Sequence, residues 1–137
     1  MTFALKITTK EDAAKAALQS AKVSGVAEIA AMLRAAADKH LGDTPDYEVA
    51  SWPTKAAAAA AHLAGKNQSA VLGAEAALRG QSVDELAKAI NAKAEALAPF
   101  VNMLAGLRAS GQAAIEKAAT EQQISAAVAD IKAKLTA

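Results

Sequence analysis

Alanine constrains this chain more than any other residue. It makes up about three in ten of the 137 residues, far above its ordinary share. In the stretch SWPTKAAAAAAHLAG, which starts at Ser51, six alanines stand in a row from Ala56 to Ala61. Alanine loses no side-chain entropy in a helix and has the highest helix propensity, but it buries little area. Helices are therefore the expected product, packed through thin, close interfaces in which the few Leu, Ile and Val are the main anchors. Burying one such anchor contributes roughly 1.5–3 kcal/mol. With so few of them, a core of this kind gains from a protein partner or from self-association. The sequence predicts an all-α fold, an irregular bundle of about five helices with a long helix kinked at Pro99 and a short extended N-terminal arm.

The boundaries follow from local signals. Phe3, Leu5 and Ile7 alternate with Thr2, Ala4 and Lys6, a period of two. Residues 1–8 therefore read as an extended arm that leads into a helix, docks on helices or pairs with another molecule. A single helical domain is expected over residues 9–137. Its first helix, over 9–41, is capped by Thr8 or Thr9 with Glu11 and Asp12 in the first turn. Leu18, Val23, Val26, Ile29, Met32 and Leu33 are its apolar positions, Gly25 reads as a weak point, and Lys39, His40 and Gly42 form its stop. GDTPDYEVA reads as a loop broken at Pro45. The second helix is expected to start at SWPTK, with Ser51 as N-cap and Pro53 in the first turn, where its missing N–H is not needed.

Further along, Gly65 to Gln68 ends that helix, and Ser69 opens a short third one that stops at Gly80. Ser82-Val83-Asp84-Glu85 has the form of a capping box. It opens the longest helical stretch, carrying Val83, Leu86, Ile90, Leu97, Phe100, Val101, Leu104 and Leu107. Pro99 lies inside and predicts a kink or break near Ala98. Gly106 and Gly111 leave room for close helix approach or loosen the helix. Thr120 to Gln123 is a second capping box, opening a last helix with Ile124, Val128, Ile131 and Leu135.

Little here points to chemistry. Fifteen basic and fourteen acidic residues nearly cancel, and no basic stripe with stacking aromatics argues for nucleic acid. There is no cysteine, so disulfides and thiolate metal sites are out of reach. His40 and His62, the only histidines, have no paired-ligand spacing. The serines have readings as caps or surface positions, and no nucleophile elbow or phosphate-cradling glycine loop is present. No enzyme activity, metal, cofactor, small-molecule substrate or membrane contact is expected. MTFALKITTKED lacks a basic start and a long apolar run, so it does not read as a signal peptide. What remains is protein–protein packing. In that setting Trp52, the only tryptophan, either plugs one end of the bundle or faces a partner.

From Tyr47 onward the order of short motifs resembles a domain of unknown function, DUF4376, common in tailed-phage and prophage tail gene clusters. The motifs are Ser51-Trp52 before an Ala-rich helix, Arg79-Gly80, Ser82-Val83-Asp84-Glu85-Leu86, Gly106-Leu107-Arg108 and Ala118-Ala119-Thr120. Pro53, Thr54 and Lys55 depart from the family pattern, as does the lack of Glu within the second helix. The resemblance covers residues 51–137 and brings no catalytic residues. It implies a phage or prophage tail-associated structural or assembly protein acting by helix-mediated contacts, in the host cytoplasm during assembly or in the tail of the particle. Ser51, Trp52, Pro99 and Arg108 are the candidate structural or partner-contact positions. The alternative is a bacterial helical interaction or regulatory module unrelated to phage, alike in composition only.

Overall fold

The computed structural model describes residues 9–137; the arm expected over residues 1–8 lies outside them. Five helices follow one another: α1 (Lys10–Leu41), α2 (Asp46–Leu63), α3 (Ser69–Arg79), α4 (Val83–Lys117) and α5 (Glu121–Thr136). There is no strand among the described residues, and the fold is all-α as expected. No helix among them is long and apolar enough to cross a membrane.

Most expected boundaries hold because their local chemistry is satisfied. The Thr9 hydroxyl accepts the Asp12 N–H at 3.1 Å, and Asp12 reaches back to the Thr9 N–H. Ser82 accepts the Glu85 N–H at 3.0 Å at the start of α4. Thr120 accepts the Gln123 N–H at 3.2 Å at the start of α5. The return bond from Gln123 goes one residue further back than a capping box requires, to the Ala119 N–H at 2.6 Å. Gly80 ends α3 in the left-handed conformation, φ 68°, which glycine adopts without a Cβ penalty.

An expected helix start and an expected break both fail at proline. The second helix does not start at Ser51. It starts five residues earlier, with Pro45 as an extended N-cap (φ −63°, ψ 149°) and Asp46 and Glu48 in its first turn. A proline followed by acidic residues is itself a helix start, since φ is preset and the carboxylates favour the N-terminal dipole. Ser51 caps nothing: its hydroxyl donates to the Glu48 carbonyl at 2.6 Å. Pro53 therefore lies inside the helix. Pro99 does not break its helix either, for α4 runs uninterrupted from Val83 to Lys117. Proline at this position deprives only the Glu95 carbonyl of its usual donor. Glu95, Ala96, Ala98 and Pro99 are all exposed, so water can serve that carbonyl.

Where the sequence reading draws one domain over 9–137, the contacts sort into two compact units. Among the described residues, one joins 9–40 with Leu104–Ala137, and the other is Leu41–Met103. The first unit is built from α1, the C-terminal part of α4, and α5. Its core holds Ile29, Leu33, Leu107, Ile115, Ile124, Val128 and Ile131, with Leu18, Val26, Met32, Leu104 and Leu135 packed against them. Val23, expected inside, is 62% exposed.

Two glycines set the spacing in this unit. A Cβ on Gly25 of α1 would meet Ile124 Cγ2 at 2.8 Å and Ile115 Cδ1 at 3.1 Å. A Cβ on Gly111 of α4 would meet Ile29 Cδ1 at 2.8 Å and Ile131 Cγ1 at 3.2 Å. Gly25 and Ile29 lie one turn apart on α1, and Gly111 and Ile115 one turn apart on α4. Each helix thus offers a glycine to the other's isoleucine, an antiparallel interlock. Gly25 is buried and works as a socket for side chains, where sequence alone reads a weak point. Lys22 extends the same contact by donating to the Glu116 carbonyl at 2.9 Å, near the end of α4.

The second unit is thinner. Its buried core is Ala58, Ala59, Leu72, Ala76, Leu86 and Ala87, with Val83 and Ile90 packed against it. Only two of the six are larger than alanine. The alanines let the helices approach closely, as their abundance predicts, but they contribute little buried area.

Candidate interaction surface

In the second unit α2 and α3 form a hairpin. Gly65 in the connection has φ 92°, a value that favours glycine. The Lys66 N–H returns to the Ala61 carbonyl at 3.0 Å and closes the end of α2. Asn67 Oδ1 then accepts both the N–H and the hydroxyl of Ser69, at 2.9 and 2.6 Å, and starts α3.

Between Pro53 and Leu78 the two helices hold just two charged side chains, Lys55 and Glu75. They pair with each other across the hairpin at 3.0 Å and are three-quarters buried. Arg79 joins Glu75 from one turn along, at 2.9 Å. Burial pushes the Glu75 carboxyl up. The Lys55 hydrogen bond and charge, and then those of Arg79, outweigh this and hold it below the ordinary glutamate value. Charge in this region is thus spent on the inner side of the hairpin.

The outer side is neutral. Pro53, Thr54, Ala57 and Ala60 of α2, and Ala70, Val71, Ala74, Ala77 and Leu78 of α3, are all exposed. Leu78 is 90% exposed and Val71 49%. Between the helices lies an open groove of about 480 Å³ lined by Pro53, Thr54, Ala57, Ala58, Gln68 and Val71. Tyr47, Leu63, Val101 and Met103 add further exposed apolar side chains to the same unit. In the first unit a second groove, of about 510 Å³, lies along Ala14, Lys15, Ala17 and Leu18 of α1 and Ala119 to Glu121.

The four positions singled out from sequence are spread over both units. Trp52 lies on α2, partly buried, and belongs to neither core cluster. Ser51 beside it is half-buried. Pro99 is an exposed position of α4 in the second unit, and Arg108 an exposed position of α4 in the first. Sequence reading passed over Val71 and Leu78. The usable signal was the absence of charge through AAAAAAHLAG and SAVLGAEAAL, broken only by a glutamate whose partner is across the hairpin.

Among the described residues, His62 and Gln81 carry further buried polar atoms. His62, near the end of α2, has Nε2 at 3.9 Å from Asp84 Oδ1, while Asp84 also holds Lys88 at 3.0 Å. His62 Nδ1 and Gln81 Oε1 are buried without a hydrogen-bond partner. No group of three or more His, Cys, Asp or Glu side chains among the described residues could hold a metal ion. A single imidazole opposite one carboxylate lacks the nucleophile and oxyanion donors that acyl or phosphoryl chemistry requires. Comparison of the chain with family models, with curated proteins and with solved structures returns no match.

Proposed function

We propose that this protein is a structural or assembly component associated with a phage or prophage tail, and that it acts by helix-mediated contact without catalysis. The observation that carries the contact part is the neutral outer side of the α2–α3 hairpin, with Leu78 90% exposed beside a core of mostly alanine. Apolar side chains exposed in this way mark surfaces that other proteins cover. The tail assignment draws its support from the order of the motifs, three of which fall at helix ends, while Ser51-Trp52 falls inside α2. Arg79-Gly80 ends α3, Ser82 to Leu86 opens α4, and Ala118-Ala119-Thr120 leads into α5.

The test is site-specific photo-crosslinking in cells producing tails, with the photoreactive residue at Leu78. Crosslinks to a tail component, alongside those to a second copy of this chain, are the expected result. Crosslinks only to host proteins would sink the tail assignment and favour a bacterial interaction module. A reactive centre would instead reveal itself by turnover, which the proposal excludes.

A further inference from the structure

We infer that a second copy of this chain covers the outer side of the α2–α3 hairpin, two hairpins packing face to face as a four-helix layer. This goes beyond the tail assignment and does not depend on it. Three observations carry it.

The first is electrostatic. Lys55 and Glu75 neutralise each other on the inner side, and the outward positions of α2 and α3 from Pro53 to Leu78 carry no charge, the exposed Lys66 lying in the connection at one end of the hairpin. A charged partner surface would lose its hydration here without compensation. An identical neutral face loses none, and a two-fold arrangement sets the same patch against itself.

The second is shape. Alanines at 57, 70, 74 and 77 are exposed, so a facing helix can approach closely. Val71 and Leu78 stand proud of them on α3, and the groove beside Val71 is open along Pro53 and Ala57. Protruding side chains and a receiving groove on one surface are what self-complementary helix packing needs.

The third is size. The eleven residues of α3 give about 16 Å of helix, and two helices side by side are about 20 Å across. A face of that extent buries roughly 300–500 Å² per copy, about 600–1,000 Å² in all, which is below the roughly 1,200 Å² at which stable specific interfaces begin. The expected dimer is therefore weak and concentration-dependent. It is also useful to the unit, whose core contains only Leu72 and Leu86 as fully buried large side chains.

Sedimentation equilibrium of the full chain tests this between ~1 and ~500 μM, the range in which a weak pair assembles. The weight-average mass should rise from 13.8 kDa toward twice that value. Leu78→Asp and Ala57→Glu, each placing charge on the outer side at an exposed position, should raise the dissociation constant by at least ~10-fold. Their helicity and urea midpoint should stay at the native values. Val23→Asp, at a 62% exposed site in the other unit, should leave the mass curve unchanged. A photoreactive residue at Ala74 should yield crosslinks between copies, within α2 and α3. A mass of one chain throughout, dimers that persist in both charged variants, or crosslinks from Ala74 confined to residues 1–8 would each overturn the inference.

Discussion

Gly25→Ala tests the glycine sockets of the first unit with a single methyl group. In an exposed helix interior this substitution stabilises by roughly 0.5–1 kcal/mol, because alanine restricts the unfolded chain more than glycine does. At Gly25 the added Cβ would stand 2.8 Å from Ile124 Cγ2 and 3.1 Å from Ile115 Cδ1. The Ile115 contact is with the far end of a flexible side chain and can yield by a rotamer change. The Ile124 contact is with a branch methyl fixed to Cβ, whose χ1 has one strongly preferred value in a helix. Relief there requires α1 and α5 to separate, and overpacking of this kind costs about 1–3 kcal/mol. The net expectation is a loss of about 0–2 kcal/mol. Gly106→Ala supplies the comparison, since nothing lies within 4 Å of its added Cβ and the full gain of roughly 0.5–1 kcal/mol should appear. Urea unfolding followed by helicity measures both, with the shift in midpoint read at constant slope. Equal stabilisation by the two substitutions would mean that no isoleucine sits over Gly25, and the interlock would have to be abandoned.

Other outcomes follow from single contacts. Thr120→Ala removes the acceptor of the Gln123 N–H and should cost about 1 kcal/mol, with Thr120→Ser close to native; a neutral alanine variant would mean the cap is replaced by water. Trp52→Ala should cost less than the roughly 3–5 kcal/mol of a fully buried aromatic truncation, because the ring is partly buried and outside both core clusters; a loss in that range would place it in the core after all. Glu75 has its folded pKa depressed, so its contribution is fully present above the unfolded value and is lost as pH falls through the folded one. The melting advantage of the native chain over Glu75→Gln should therefore shrink on acidification below the ordinary glutamate range. A difference that stays constant down to pH ~2 would show that the Lys55–Glu75–Arg79 cluster is not ionic.

The pattern of apolar residues made much of the fold readable. Ile124, Val128 and Ile131 are buried as their spacing implies, and Leu86 and Leu107 anchor different cores from the two ends of one helix. Caps built from Thr9, Ser82 and Thr120 placed three helix starts. What escaped was decided by tertiary context. Gly25 looks like a defect until Ile115 and Ile124 are seen above it. Pro99 looks like a break until the exposure of its surroundings removes the need for a partner at one carbonyl. Pro45, read as a breaker, proved to be a starter, because proline fits the entry to a helix as well as its exit. The division into two units was hidden, since α4 belongs to both and no linker marks the change. The candidate surface was half legible. Alanine runs announced a smooth helix face, but only the pairing of Lys55 with Glu75 shows which side is left without charge.

The first unit is assembled from segments on either side of the second, and this has a consequence for its synthesis. Ile29 and Leu33 leave the ribosome early, but their partners Ile115, Ile124 and Ile131 are made only after the whole of Leu41–Met103. At a typical elongation rate of about 5–20 residues per second, α1 waits on the order of 5–20 seconds with its apolar stripe bare. During that interval the intervening unit, whose contacts are all local to it, can already condense. Its condensation shortens the effective loop that α1 and α4 must close, and so lowers the entropy cost of the interlock. The nascent chain is thus most exposed to chaperones, proteases and its own neighbours in the seconds before α5 emerges.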